Sequence, residues 1–197
     1  MATRRSPRFK ECRRLGVNVC GHPKALERAN SPAFAKKKKV SEYGIQLIEK
    51  QKVKAYYGIL EKQMRRYFDA AARATGNTGD ELLILLERRL DNLVYRAGFA
   101  KSIRQARQMV SHGHFTVDGK KVNIPSFSVK VGQTIALSEK AQKSGSLKAI
   151  FLEDKAGKLE YIEKNVDGFS AKFSRLPLRA EIPVDVKENL VIEYYSK

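Results

Sequence analysis

The segment 88–122, RRLDNLVYRAGFAKSIRQARQMVSHGHFTVDGKKV, constrains the fold more than any other part of this chain. Ser102 is a typical helix N-cap, and Gln105 stands where it can complete a capping box. Gly113 is placed to end the same helix in a left-handed turn. The Asp-Gly pair at 118–119 separates two short alternating runs, which predicts a β-hairpin with a two-residue turn. The segment therefore predicts two short helices followed by a tight hairpin.

The second of these helices has two chemically different faces. Apolar residues recur on one face at helical spacing: Ile103, Ala106, Met109 and Val110. The opposite face is basic and polar: Lys101, Arg104, Gln108 and His112. The chain has no acidic residue between Asp91 and Asp118, so this second face is positively charged. It indicates nucleic-acid binding, although an ordinary solvated helix beside a hairpin is the alternative.

The charge of the whole chain agrees with an anionic partner. Lys and Arg outnumber Asp and Glu by 39 to 21, for a formal charge of +18, and residues 1–60 carry +11 of it. Such a balance is the electrostatic signature of a protein that binds phosphate-rich polymers. No apolar run is long enough for a membrane span, and the N-terminal arginines are not followed by the apolar stretch of a secretory signal. Two cysteines and 42% hydrophobic residues suit a cytosolic chain with a core rather than a disulfide scaffold.

The rest of the chain has weaker patterns. Residues 1–40 have no usable periodicity and predict loops with at most short helices, ordered by RNA. From residue 41, apolar spacings of three and four predict successive helices up to residue 97. Residues 138–149 suggest a surface helix or loop, and 190–195 a final strand or short helix. Strands are predicted from alternation at 127–131, 135–137, 149–152, 159–162 and 169–173.

No arrangement of residues indicates catalysis. His112 and His114 have no nearby carboxylate or nucleophile to act with, and Asp91 has no companion acid. The chain has neither a Gly-rich nucleotide loop nor a Gly-x-Ser-x-Gly elbow. We therefore expect no enzyme activity, no cofactor and no small-molecule substrate.

The central motif carries a family resemblance. RLDNLVYRAGF and SIRQARQMVSHGHFTVDGKKVNIPS resemble the RNA-binding domain named after bacterial small-subunit ribosomal protein four. That domain also occurs in some pseudouridine synthases, tyrosyl-tRNA synthetases and a heat-shock RNA-binding protein. The flanking segments SEYGIQLIEKQKVKAYYGILEKQMRRYF and LVIEYYSK are similar to the ribosomal family itself. The resemblance spans residues 8–197 and is close over 41–137.

The resemblance implies an α+β fold with three parts. These are an extended basic arm at 1–40 and a helical domain at 41–86, which the segment from about 180 to 197 completes. The third part is an RNA-binding domain at 87–179, with its core motif at 88–137, in which two helices pack on an antiparallel sheet. Relatives often have a four-cysteine zinc site in the arm. Here Cys12, Cys20 and His22 have no apparent fourth ligand, so we expect no bound metal, with these three as the candidates if zinc is present.

The resemblance also implies a function. The family is a structural part of the bacterial small ribosomal subunit in the cytoplasm and binds the 5′ domain of its ribosomal RNA early in assembly. It lines the mRNA entrance, contacts ribosomal protein five of the same subunit and influences translational accuracy. RNA junctions are recognised mainly by shape and phosphate, which suits a surface rich in Arg and Lys. No membrane partner is expected.

Basic and polar residues in all three parts are expected to bind ribosomal RNA: Arg4, Arg5, Arg8, Arg13, Arg14, Lys54, Arg65, Arg66, Arg89, Lys101, Arg104, Gln105, Arg107, Gln108, His112, His114 and Lys120. Arginines are suited to bidentate contacts with phosphate. The family's position at the mRNA entrance carries over to the basic run Lys36, Lys37, Lys38 and Lys39. The family's usual Pro-Gly-Gln-His-Gly element before that run is replaced by Asn-Ser-Pro-Ala-Phe-Ala, which leaves the path of 20–36 open.

Other classes compete with this interpretation. A free RNA-binding regulator, such as a translational repressor, could use the same domain. A pseudouridine synthase would need a large catalytic domain, and too little of the chain is left for one. A helix-turn-helix DNA repressor would normally need a dimerisation element, and none is evident.

Overall fold

The computed structural model describes residues 6–27, 40–153 and 159–196. Two compact units are formed, one by Met1–Leu82 with Pro183–Lys197 and the other by Leu83–Ile182. The described residues combine helices with one antiparallel five-stranded sheet, so the α+β prediction is confirmed. None of the described helices is long and apolar enough to cross a membrane.

The elements of the described residues follow in chain order. The helices are α1 (Arg8–Leu15), α2 (Glu42–Tyr56), α3 (Glu61–Ala72), α4 (Thr78–Glu87), α5 (Leu90–Arg96), α6 (Ile103–Ser111), α7 (Glu139–Gln142), α8 (Gly145–Leu152) and α9 (Glu188–Ser196). The strands are β1 (Phe115–Val117), β2 (Lys120–Lys121), β3 (Thr134–Leu137), β4 (Ile162–Asn165) and β5 (Ser170–Phe173). Short 3₁₀ helices occur at Pro23–Ala25 and Arg179–Glu181.

In the first unit the C-terminal segment packs on α2. The segment forms helix α9. Of the two structures predicted for 190–195, a strand or a short helix, the helix is therefore confirmed. The side chain of Gln46 donates to Glu193 at 2.8 Å, and the backbone amide of Lys187 donates to Glu49 at 3.0 Å. These bonds satisfy polar groups of α2 that are almost fully buried, Gln46 and Glu49.

The described part of the arm begins with a short helix. Residues 8–15 form helix α1, one of the short helices that the sequence allowed within the arm. Cys12 and Leu15 on one side of α1 join Ala55 of α2 in a small apolar cluster. Scattered apolar residues therefore suffice here because α2 supplies the rest of their core. Residues 28–39, which complete the predicted arm, lie outside the described part of the chain.

The second unit is built around the sheet. Its strand order is β2-β1-β3-β5-β4, and all neighbouring strands are antiparallel. Val94, Val110, Phe115 and Phe173 are among the buried residues of its core, to which α5, α6 and the sheet all contribute. The predicted hairpin is confirmed: Val117 pairs with Lys120 across a turn whose Asp-Gly residues both have positive φ, 48° and 76°.

Two predicted strands of the second unit are wrong, and the strand predicted at 159–162 is displaced, because β4 begins only at Ile162. Residues 127–131 make only an isolated bridge between Arg89 and Ser128, and the amide of Val129 donates to the carbonyl of Arg88 at 2.9 Å. This segment is held by the connection between α4 and α5. Residues 149–152 belong to helix α8. A short apolar run does not distinguish strand from helix by periodicity.

Candidate nucleic-acid interface

Helix α6 separates its core face from its basic face as the sequence predicts. The hydroxyl of Ser102 accepts from the amide of Gln105 at 3.2 Å, and the side chain of Gln105 accepts from the amide of Lys101 at 2.9 Å. The second bond goes to the residue before the cap, so the capping box is a variant of the predicted one. Val110 is fully buried, whereas Arg104 is exposed on the other side.

The end of α6 and the hairpin bring further basic groups together. His112 and His114 flank Gly113, which has a φ of 71°, and their rings lie 6.0 Å apart. A Cβ at Gly113 would meet only the far end of the flexible Lys121 side chain, which can move away. Glycine is therefore needed here for the left-handed turn that ends the helix.

The electrostatic environment of His114 is positive. Partial burial lowers the pKa of His114 below its ordinary value. The neighbouring charges of His112, Lys121 and Lys140 lower this pKa further. These groups repel a proton on the imidazole but attract an anion, so a phosphate that enters this position is stabilised by several cationic side chains.

Asp118, the acidic residue of the hairpin turn, already accepts hydrogen bonds from the start of β3 and the residue before it. The carboxylate of Asp118 accepts from the amide of Thr134 at 2.9 Å and from the side chain of Gln133 at 2.7 Å. These hydrogen bonds lower the pKa of Asp118. Asp118 thus fixes the hairpin to the start of β3.

We call one set of residues, from just before α6 to β2, the basic face: Lys101, Arg104, Gln108, His112, His114, Lys120 and Lys121. All of these are exposed except the half-buried His114. Lys101 forms an ion pair with Glu153 at 3.2 Å, but both side chains are more than half exposed. Such a surface pair contributes about 1 kcal/mol or less, so it does not prevent Lys101 from contacting RNA.

The expectation that Arg89 contacts RNA is corrected. Its side chain is 1% exposed, and its guanidinium makes two hydrogen bonds to the buried carboxylate of Asp91, at 3.0 and 2.7 Å. Arg107 lies on the same acid, with its Nε 3.7 Å from the carboxylate and its side chain 12% exposed. Arg89 therefore stabilises the start of α5 and does not offer its guanidinium to a partner. RNA binding by the mostly buried Arg107 stays a prediction.

Lys54 requires the same correction. Its ammonium donates to Glu61 at 2.7 Å in the first unit, and the residue is almost fully buried. Lys50 and Tyr195 donate to the same carboxylate, at 3.1 and 2.7 Å. Partial burial alone would raise the pKa of Glu61, but the bonds from Lys54, Tyr195 and Lys50 lower it to about 2.

The remaining predicted residues differ in accessibility. Arg8 and Arg14 are exposed on α1, and Arg13 beside them is half-buried. Arg65 and Arg66 are exposed on α3. Gln105 is half-buried, and its side chain caps α6. The predicted contacts Arg4, Arg5, Lys36, Lys37, Lys38 and Lys39 lie outside the described residues.

Sequence reasoning missed two features. Lys121 and Lys140 belong to the surroundings of His114. Lys121 directly follows the predicted residue Lys120 in the hairpin, so its position in the sequence could have identified it. Lys140 is brought near His114 only by tertiary structure. The second feature is the buried carboxylate of Glu87, which accepts from Asn92, Arg96 and Tyr161. This network connects α4 and α5 to the segment before β4.

The metal candidates do not form a ligand set among the described residues. The sulfurs of Cys12 and Cys20 lie 3.5 Å apart, while Nδ1 of His22 accepts from the amide of Lys24 at 3.2 Å. No group of three or more His, Cys, Asp or Glu side chains in the described ranges is arranged to hold a metal ion. The expectation of no zinc stays a prediction, which elemental analysis of the purified protein tests.

Comparisons with known proteins agree with this geometry. Residues 3–87 match the family model described as the ribosomal protein S4/S9 N-terminal domain, and residues 88–135 match the S4 domain. The chain is 50% identical over 199 residues to the small ribosomal subunit protein uS4 of Finegoldia magna, with 100% of both chains covered. It is 49% identical over 197 residues to the small ribosomal subunit protein uS4B of Clostridium acetobutylicum, again over 100% of both chains. The chain belongs to the uS4 family of small ribosomal subunit proteins.

Proposed function

We propose that this chain binds the 5′ domain of small-subunit ribosomal RNA early in subunit assembly and holds a multi-helix junction there. As a member of the uS4 family it is a structural RNA-binding protein of the cytoplasmic ribosome and not an enzyme. The observation that carries the proposal is the basic face, which combines six exposed cationic or polar side chains with the half-buried His114. No acid interrupts the sequence between Asp91 and Asp118.

The basic face suits recognition of RNA by shape and charge. The α6 side chains project from a helix whose other side is fixed in the core, so the spacing of Arg104 and Gln108 is rigid. Lys120 and Lys121 project from the hairpin, which Asp118 fixes to β3. Side chains cannot read the narrow major groove of A-form RNA, and contacts are therefore made with phosphates, riboses and unpaired bases. Rigid donors at fixed spacing select a backbone geometry rather than a sequence.

The first unit adds a second set of contacts to the proposal. Arg8 and Arg14 on α1 and Arg65 and Arg66 on α3 are exposed arginines, which are suited to bidentate phosphate contacts. Together with the basic face they would neutralise several phosphates, and each neutralised phosphate releases counterions. We therefore expect binding that weakens steeply as the salt concentration rises.

Finer roles in the ribosome are part of the proposal. The basic run Lys36, Lys37, Lys38 and Lys39 would line the mRNA entrance, where lysines hold a moving strand by charge without reading its sequence. A contact with ribosomal protein five near the C-terminal segment would connect the chain to translational accuracy. Crosslinking of an assembled subunit at Lys37 to messenger RNA tests the first of these roles.

Chemical footprinting on small-subunit ribosomal RNA tests the central proposal. The proposal predicts protection confined to the 5′ domain and retention of the protein on small subunits during sedimentation in high salt. Arg104→Ala, on the basic face, should weaken this protection. Lys172→Ala is its matched control, because Lys172 is exposed on β5, outside the basic face. Protection that is absent from the 5′ domain, with loss of the protein from subunits in high salt, would instead indicate a free RNA-binding regulator.

A further inference from the structure

The two thiols of the chain lie in contact within the first unit. Cys12 is on α1 and fully buried, whereas Cys20 lies in the turns that follow α1 and is partly exposed. Their sulfurs are 3.5 Å apart, with the thiol of Cys12 oriented to donate to the sulfur of Cys20. The thiol of Cys20 in turn points to the side-chain oxygen of Asn18 at 3.6 Å. The pair is therefore in van der Waals contact while both thiols are reduced.

We propose that Cys12 and Cys20 form a thiol-oxidation site, which closes to an intramolecular disulfide on reaction with a peroxide or a small-molecule disulfide. A disulfide has a sulfur–sulfur distance of about 2.05 Å, so the two sulfurs must approach each other by more than an ångström. The approach is feasible because residues 16–22 form turns and coil rather than a helix or strand. Cys20 can thus move toward Cys12 without breaking a hydrogen-bonded ladder.

The two sulfurs have different roles in the oxidation. Cys20 is the accessible sulfur and meets the oxidant first, while Cys12 is shielded by Leu15 and Ala55 in its apolar cluster. With hydrogen peroxide, the sulfur of Cys20 attacks one peroxide oxygen, giving a sulfenic acid and one water. The sulfur of Cys12 then attacks the sulfenic sulfur, and the hydroxyl leaves as a second water. The two thiols lose two electrons and two protons, and peroxide is reduced to two waters.

A small disulfide such as oxidised glutathione gives the same product by exchange. The thiolate of Cys20 displaces one glutathione thiolate and forms a mixed disulfide. The sulfur of Cys12 then displaces the second glutathione, which leaves as a thiolate, and the intramolecular bond is closed. Two molecules of reduced glutathione are released for each disulfide formed.

A purely structural role explains the pair less well. A buried cysteine commonly acts as a small apolar side chain, and this accounts for Cys12 alone. Cys20 packs against the same apolar cluster, but packing alone does not require its partly exposed sulfur to lie against that of Cys12. The chain has two cysteines, so an intramolecular disulfide has a single possible pairing. A metal would need further ligands, and the described residues supply no group of three.

The sequence makes the product easy to identify. Trypsin cleaves after Arg13 and Arg14, which lie between the cysteines, so a Cys12–Cys20 disulfide joins two peptides that are otherwise separate. The reduced full-length protein, with a chelator present, is titrated with oxidised glutathione and then alkylated and digested. We expect loss of both alkylation sites together, an intact mass lower by two hydrogens, and a linked peptide of residues 11–13 and 15–24. These products should form at a lower ratio of oxidised to reduced glutathione than in the same protein unfolded with guanidinium.

Matched variants separate the paired reaction from independent oxidation. Cys20→Ser leaves Cys12 buried and alone, and we expect its alkylation by iodoacetamide to stay slow and its glutathionylation to be absent. Cys12→Ala leaves Cys20 accessible, and we expect a stable mixed disulfide with glutathione, provided that circular dichroism shows unchanged helix content. If the native protein instead accumulates glutathione on Cys20 while Cys12 remains alkylatable after denaturation, the proposal is overturned.

Discussion

The guanidinium of Arg89 and the carboxylate of Asp91 form a bidentate pair in the interior of the second unit, with both side chains at most 1% exposed. Arg89 precedes α5, and its backbone bridges Ser128. The amide of Asp91 donates to the carbonyl of Pro125 at 3.1 Å. The backbone of these two residues thus joins the start of α5 to the segment that follows the hairpin, and their paired charges stabilise the interior instead of binding RNA.

Removing one partner of this pair is expected to destabilise the second unit. Asp91→Asn removes the negative charge and leaves the Arg89 guanidinium buried without its counterion, which should cost about 3–5 kcal/mol of unfolding free energy. Denaturant unfolding measures this cost. Arg89→Met with Asp91→Leu removes both charges and should recover part of it. A loss below about 1 kcal/mol for Asp91→Asn, the range of surface pairs, would contradict the buried pair.

Glu61 makes the stability of the first unit depend on acid pH. Its pKa is lowered to about 2 in the folded protein, so its contribution is fully present above the ordinary carboxyl pKa of about 4.3. That contribution is lost as the pH falls from there through about 2. Glu61→Gln should cost about 1 kcal/mol at neutral pH, a small value because the carboxylate is 47% exposed. Thermal melts of both proteins should converge as the pH falls, and a constant difference would contradict this account.

His114 is expected to couple RNA binding to pH. Because its folded-state pKa is lowered, the unfolded chain binds more protons just below the ordinary pKa, so stability of the free protein falls as the pH falls through that range. Bound phosphate reverses the repulsion from His112, Lys121 and Lys140 and favours the protonated imidazole. Affinity should therefore rise between about pH 8 and about pH 6, as measured by RNA titration at constant salt. His114→Gln should flatten this dependence, and an unchanged slope would remove His114 from the phosphate contact.

Substitutions at two neighbouring residues of α1 should have different effects, one on RNA binding and the other on stability. Arg14 is exposed and Leu15 is buried. Arg14→Gln should leave the melting temperature unchanged and reduce the slope of log affinity against log salt by about 1. Leu15→Ala should lower stability by about 2 kcal/mol or more. An Arg14→Gln variant with an unchanged salt slope would show that α1 does not lie on RNA.

Local signals made helix α6 and the hairpin predictable. The Ser102 cap, Gly113 and the Asp-Gly turn act over a few residues, and the periodic stripe on α6 identifies the face that Val110 buries. The exposure of Arg104 on the other face follows from the same pattern. The sequence therefore specifies most of the basic face, because its residues are adjacent along the chain.

Tertiary structure decided what the sequence could not. Nothing in the sequence distinguishes Arg89 and Lys54 from exposed cations. Their burial depends on ion pairs with Asp91 and Glu61 and on packing by segments that lie further along the chain. The apolar pattern of residues 149–152 is compatible with a strand or a helix. In the structure they belong to α8, where the ring of Phe151 stacks on the ring of Phe99 with centroids 4.2 Å apart. No local pattern carries these distant contacts.

The basic face of α6 is expected to contact ribosomal RNA, while the opposite side of the helix packs in the core. Val110→Ala removes buried methyl groups and should cost roughly 1–3 kcal/mol of stability. Affinity of this variant should then fall only as far as its folded fraction falls. Lys172→Ala, outside the basic face, should change neither quantity.

Titration of Arg104→Ala against the 5′ domain of small-subunit ribosomal RNA at fixed salt, paired with its thermal melt, is the most direct test. Arg104 is exposed on α6, opposite the buried Ala106 and Val110. We expect the variant to lose about 1–3 kcal/mol of binding free energy, the value of a charge-assisted hydrogen bond. Its melting temperature should stay within error of the native protein. An Arg104→Ala protein that binds RNA as tightly as the native chain would contradict the assignment of this face to RNA.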